Sequence, residues 1–331
     1  MTVQLDTDNH AERHVAVAER TEATVATDRK GFKSHLARPR AYRSDTGSGK
    51  HASNEQRGAK HPPSPPRVHD GVILPLVTAL ILMTGAANAT DFADQTISTD
   101  RPGIPYGTSI VPTDHLQLET GLPTFENDPL PGGHSLLLGA PTYLRYGVSD
   151  DFEVQLAASP WNRLTTTQDG HRHTVSGAGD LQLGGKFALI SGDGGMPAVT
   201  LIGYVTAPTG NRNFSGDRPA CNLNAVAAWS LTGSTSFTTM ASFTRAPTDG
   251  DRHANNGTLA ASLSHSFTSQ LTAYAETGWF PGYTNTSSTA LAGGGVTYLV
   301  TAHVQVDGFF DVGLNHSSPR SVFGTGVSIL F

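Results

Sequence analysis

Charged and amide side chains recur at every second position in short blocks of this 331-residue sequence. That spacing puts them on one face of an extended chain. Leu116–Gln117–Leu118–Glu119, Phe152–Glu153–Val154–Gln155–Leu156, Asp180–Leu181–Gln182–Leu183 with Lys186, and Val304–Gln305–Val306–Asp307 all follow the pattern. If the alternating apolar residues face lipid, parity sends Glu119, Arg145, Glu153, Gln155, Asp180, Gln182, Lys186, Glu276, Asp307 and Asp311 to the interior, with Gln117 and Gln305 beside them. A Lys or Arg on a lipid face would cost about 2–4 kcal/mol at mid-membrane, so the inward assignment follows from energetics as well as from parity. Two cations, Arg145 and Lys186, stand against six carboxylates. Such a set can close into a salt-bridge network that fills a narrow lumen, or line an acidic constriction on a permeation path.

Other groups with chemical potential read as ordinary surface. His171–Arg172–His173 with Asp169 falls in the longest connection, 161–176, and a flexible polar loop does not hold metal ligands in geometry, so no metal site is expected. His265 lies among Ser262, Ser264 and Ser266, but no Gly-x-Ser-x-Gly elbow accompanies them, so no catalytic residue is expected. Gly177-x-Gly179 lacks a third glycine and a following helix, which removes nucleotide binding, and no cofactor is expected. One cysteine, Cys221, rules out an internal disulfide; it falls on the outer face of its block as an inert apolar residue.

The elements that must position the inward charges are strands. Twelve alternating blocks run at roughly 115–125, 135–147, 152–160, 177–190, 197–206, 220–231, 235–245, 256–267, 271–280, 288–300, 303–313 and 321–331. After every second block the turn is tight, as at Val148–Ser149–Asp150–Asp151 and Thr232–Gly233–Ser234. The other connections are mostly longer and polar, including 161–176, 207–219, 246–255 and 314–320. Short turns on one rim, long loops on the other and an even strand count predict an all-β fold: a closed antiparallel transmembrane β-barrel of about 12 strands, spanning 115–331. Charged residues are only 15% of the chain, well under the roughly 25% of a soluble domain. Aromatics gather at block ends: Tyr146, Phe152 and Trp229 towards the short turns, Trp161, Trp279, Phe280 and Tyr283 towards the long loops.

Upstream, residues 1–71 carry 12 Lys+Arg and 9 Asp+Glu, while residues 90–331 carry 10 and 19, a net of −9. Nothing in that acidic part would neutralise a run of phosphates, so no nucleic acid is expected as partner. Residues 1–67 lack apolar periodicity and read as disordered. They fit a start codon set too far upstream; a long leader n-region or a cytoplasmic segment behind a short anchor are the alternatives. The apolar run Val72–Met83 is too short to span a bilayer as a helix. It leads to Ala87–Asn88–Ala89, an A-x-A cleavage site, so 68–89 reads as a signal peptide with Ala87 and Ala89 as its cleavage residues. Residues 90–114 would then be a periplasmic segment or a plug. The last block ends on Phe331, with Ile329 and Val327 on its face, and resembles the assembly signal of bacterial outer-membrane proteins.

Two segments carry a narrower resemblance. Ser98–Thr99–Asp100–Arg101–Pro102, followed by Val111–Pro112–Thr113–Asp114–His115 and Gln117-x-Glu119-x-Gly121, resembles the opening of an outer-membrane barrel family named for a phenol-degradation (meta-pathway) protein. Leu144–Arg145–Tyr146–Gly147–Val148–Ser149–Asp150–Asp151–Phe152–Glu153 resembles that family's first tight turn, and Gly177–Ala178–Gly179–Asp180 with Lys186 its fourth strand. Pro208–Thr209–Gly210 and Gln305–Val306–Asp307 fit later positions, so the resemblance covers about 98–331; the extension 1–70 is foreign to it. It implies a transporter-like barrel in the outer membrane of a Gram-negative bacterium, and names no substrate. The expectation is therefore passive uptake of small, hydrophobic or aromatic molecules. The alternative is a structural or adhesive barrel with a plugged lumen. The partners would be outer-membrane lipid and lipopolysaccharide, the barrel-assembly machinery and a small-molecule solute.

Overall fold

A computed structural model describes residues 95–193, 195–216, 218–247, 253–281 and 287–331. The expected disordered segment 1–67, the signal peptide 68–89 with Ala87 and Ala89, and Tyr283 lie outside the described residues.

Fifteen strand segments form among the described residues: β1 (Leu116–Leu130), β2 (Gly133–Gly139), β3 (Thr142–Ser149), β4 (Phe152–Ala158), β5 (Asn162–Gln168), β6 (His171–Gly177), β7 (Leu181–Ile190), β8 (Ala198–Ala207), β9 (Ala220–Ser230), β10 (Thr235–Pro247), β11 (His253–Ser266), β12 (Leu271–Phe280), β13 (Thr289–Thr301), β14 (Val304–Gly313) and β15 (Ser321–Leu330). All are antiparallel, and β15 pairs back onto β1 from Gln117↔Leu330 to Asn127↔Ser321. That pairing closes the sheet and removes its edges, which is what a strand-built membrane span requires. The wall has twelve strands. Three of them are interrupted, at Ala140–Pro141 between β2 and β3, at Ser159–Trp161 between β4 and β5, and at Ala178–Asp180 between β6 and β7. Pro141 and Pro160 have no N–H to give a ladder, so each ends one segment and starts another.

The interruptions correct one expectation. The stretch 161–176 is a hairpin, β5 with β6, and it pairs through β2 to the outer part of β1. Asp169 and Gly170 form its two-residue turn with φ of 49° and 80°. Positive φ at both central residues is the geometry that Asp-Gly favours in tight hairpins. His171 and His173 are therefore ordered strand residues. Alternating hydrophobicity was absent there because neither face of this extension packs a full core.

Outside, the wall is apolar: Leu183, Phe187, Val205, Phe243, Leu263 and Phe310 stand exposed on outward-facing positions. Tyr146, Trp161 and Trp279 also point out, as a rim of aromatics requires, and Cys221 is free and exposed on the outer face. Phe280 does not join them. It turns inward, is buried, and packs in an interior cluster with Ile104, Tyr106, Tyr204, Met240 and Phe309. On β15, Phe323, Val327 and Ile329 face out, while Val322 and Ser328 face in and are buried.

Candidate functional site: a charge clasp around an inserted segment

Residues 97–111 lie inside the barrel, held chiefly by the inward charges. Arg145 on β3 is 0% exposed. Its Nε and Nη2 donate to the Glu153 carboxylate at 2.7 and 2.9 Å, and its Nη1 donates to Glu119 at 2.7 Å. Strand register explains the convergence: Arg145 stands opposite Gln117 on β1 and Gln155 on β4, so Glu119 and Glu153 are diagonal neighbours on either side. The same guanidinium donates to the carbonyls of Ser98 and Ser109 at 3.3 and 3.1 Å, gripping both limbs of the inserted segment.

The segment supplies its own charges. Asp100 accepts from Lys186 Nζ at 2.8 Å and lies 3.5 Å from Arg145. Arg101 donates to both oxygens of Asp307, at 2.9 and 3.2 Å. Backbone N–H groups complete the clasp: Asp100 and Arg101 donate to Glu119, Val111 donates to Glu153 at 2.6 Å, and Ile104 donates to Glu276. Gln155 donates to Glu153 and accepts from the Tyr204 hydroxyl, and Gln305 donates to Thr99 at 2.8 Å. At its two ends the segment is tied by Ile97 N–H to the Ala302 carbonyl at 2.8 Å and Asp114 N–H to the Gly147 carbonyl at 2.9 Å. Gly147 has to be glycine here, since a Cβ would stand 2.1 Å from the Pro112 carbonyl oxygen.

Burial alone would raise the carboxyl of Asp100, which lies outside the strands. The Arg145 guanidinium and the Lys186 ammonium more than offset this and hold it below its ordinary 3.8. A depressed pKa means that the stabilisation is full above the ordinary value and is lost as pH falls through the lower one. At neutral pH the clasp is closed.

Of the residues read from the sequence, Glu119, Arg145, Glu153, Gln155 and Lys186 converge in one buried network. Asp307 and Glu276 hold the opposite side of the segment. Asp311 is buried across from Gly293, whose missing side chain leaves the space its carboxyl leans into: a Cβ there would lie 2.2 Å from Asp311 Oδ1. Gln182 is half-buried on the inward face of β7. Asp180 departs from the set: it precedes β7 and accepts from the backbone N–H of Gly210 and Gly216, so it fastens the 208–219 loop. Asp100 and Arg101 were missed as site residues, although the Asp-Arg-Pro stretch had singled them out. With no strand periodicity around them, nothing local said that they go inside.

Towards the long loops the interior becomes largely apolar and aromatic, with the buried carboxylates of Glu276 and Asp311 set among it. Tyr106 of the inserted segment lies 6.5 Å, centroid to centroid, from Tyr204, and Tyr143, Met240, Leu291 and Phe309 complete the layer.

With this geometry in view, residues 99–331 match the family described as "Putative MetA-pathway of phenol degradation". The chain belongs to this family. An outer membrane channel from Pseudomonas putida F1 has the same fold at 15% identity and a TM-score of 0.56, over 70% of this chain and 99% of that one. The NanC porin matches at 12% identity and TM-score 0.45, over 65% and 98%. A monoaromatic hydrocarbon channel, CymD, matches at 11% and 0.38, over 65% and 87%. No curated protein matches the chain. The family member described here is an outer-membrane β-barrel.

Proposed function

We propose that this barrel is a passive channel for small, apolar or aromatic molecules, and that residues 95–114 are its plug. The observation that carries the reading is the graded interior: a polar clasp that holds a separable segment, then a layer rich in tyrosine and phenylalanine in which Glu276 and Asp311 are the buried carboxylates. A pore for sugars or hydrated ions would keep its charges solvated, whereas here they are spent on the segment. The rival reading is a structural or adhesive barrel, filled for good. A permanent filling needs no charges, because replacing a buried ion pair by apolar side chains is often neutral or stabilising. Charge pairs gripping a segment with its own backbone suit a latch. Cells making the protein should accumulate a radiolabelled neutral aromatic solute several-fold faster than cells lacking it. Equal rates would sink the channel reading.

The same inference covers biogenesis: removal of residues 68–89 after Ala89, and assembly through the outward Phe331, Ile329 and Val327 by the barrel-assembly machinery. Deleting Phe331 is expected to cut the heat-modifiable, outer-membrane form several-fold. Unchanged levels would show that the terminal aromatic is not the handle.

A further inference from the structure

Six of the nine Lys and Arg residues among the described ones are not spent in the lumen, and their placement is one-sided. These, Arg163, Arg172, Arg212, Arg218, Arg245 and Arg320, all lie in the half of the barrel nearer the long loops. The short-turn rim carries Asp114, Asp150, Asp151 and Asp193 instead. Long loops mark the extracellular side of such a barrel.

Two of these arginines share one surface. Register runs outward from Phe323 through Phe125 and Leu138 to Arg163, and Phe323 stands on the lipid-facing side with Phe310. Arg163 is therefore outward, and so is Arg172, which pairs with Thr167 four residues along β5. Both are exposed, and neither has a side-chain hydrogen bond or ion pair among the described residues. The outward faces change character at the strand breaks. Below them β4 and β7 show Val154, Leu156, Leu183 and Phe187; above them β5 and β6 show Arg163, Thr167, Arg172 and Thr174, with Thr165 buried on the same face against Thr174. No carboxylate interrupts that upper face; Asp169 sits at the turn beyond it. The offset of four residues and one strand separates the two Cα atoms by about 14 Å.

We infer that the outward face of the β5–β6 hairpin binds the phosphates of a diphosphorylated glycolipid of the outer leaflet, of the lipid A type. Acyl chains would lie on the apolar wall below the breaks, and a phosphorylated disaccharide would span Arg163 and Arg172. Guanidinium and phosphate pair bidentately, and at a membrane surface the pairing is far less hydrated than in bulk water. A lone apolar belt would explain neither the arginines nor their absence from the opposite rim.

The test uses the full barrel purified in detergent and titrated with diphosphoryl lipid A, its monophosphoryl form and the fully dephosphorylated lipid, read by native mass spectrometry. Affinity should fall in that order, and the double variant Arg163→Glu/Arg172→Glu should lose at least tenfold for the diphosphoryl form, while Arg163→Lys/Arg172→Lys keeps part of it. Heat-modifiable migration, unchanged in both variants, confirms that the wall is intact. Equal affinity for the dephosphorylated lipid, or an unaltered affinity in the glutamate variant, overturns the assignment. Neither result touches the channel reading, which rests on the lumen.

Discussion

Arg145→Ala should destabilise the barrel by about 3–5 kcal/mol, the cost of leaving buried charges without their partner. Three carboxylates lean on this guanidinium, those of Asp100, Glu119 and Glu153, and arginine and both glutamates are 0% exposed. In the variant Glu119 keeps backbone N–H donors from Asp100 and Arg101, and Glu153 keeps one from Val111, but neither keeps an ion pair: Lys186, across the strand pair from Glu153, is bound to Asp100. The measurement is the temperature at which the folded, fast-migrating form is lost on gels, with Arg163→Ala as an exposed control. A loss below about 1 kcal/mol, the range of solvated pairs, would mean that water reaches the network. The sequence alone left both outcomes open and favoured the solvated one; the zero exposure of the network reverses that preference.

Asp100→Ala carries the second large effect, on the segment more than on the wall. Asp100 joins the segment to Lys186 and Arg145 and accepts the Gly107 N–H within its own bend at 3.0 Å. Its loss leaves two buried cations facing the segment with one carboxylate fewer. If docking weakens by about 3–5 kcal/mol, the ratio of plugged to open barrels falls by roughly two to four orders of magnitude. Planar-bilayer recordings should then show a large rise in open time, which Arg101→Ala, cut loose from Asp307, should reproduce from the other side of the lumen. Closed recordings from both variants, with normal migration on gels, would show that the segment is a fixed filling.

The wall was legible in the sequence because a membrane barrel writes its inside and outside into alternate residues. Glu119, Glu153 and Lys186 could be placed inward by parity alone. Parity failed where strands stop being strands. Asp180 falls in a break between segments, where its side chain turns to the 208–219 loop; Phe280, by contrast, keeps the parity of Glu276 and faces the interior, and only the grouping of aromatics at block ends read it as a rim residue. The β5–β6 hairpin was hidden because outside the hydrocarbon no solvent contrast enforces alternation; its Asp169–Gly170 turn was the one local signal. For residues 97–111 the sequence left a periplasmic segment and a plug as alternatives, for another reason. Their contacts reach across the barrel, Arg101 to Asp307 and Ile104 to Glu276, and no short-range pattern encodes a partner more than 170 positions away.

The central claim, a plug-gated route for apolar solutes, meets its most direct test in proteoliposome flux. Wild-type barrels should pass a small neutral aromatic faster than a sugar of similar mass, and Asp100→Ala should raise both rates and narrow the difference between them. Flux at the level of protein-free liposomes in the wild type and in the variant would contradict it.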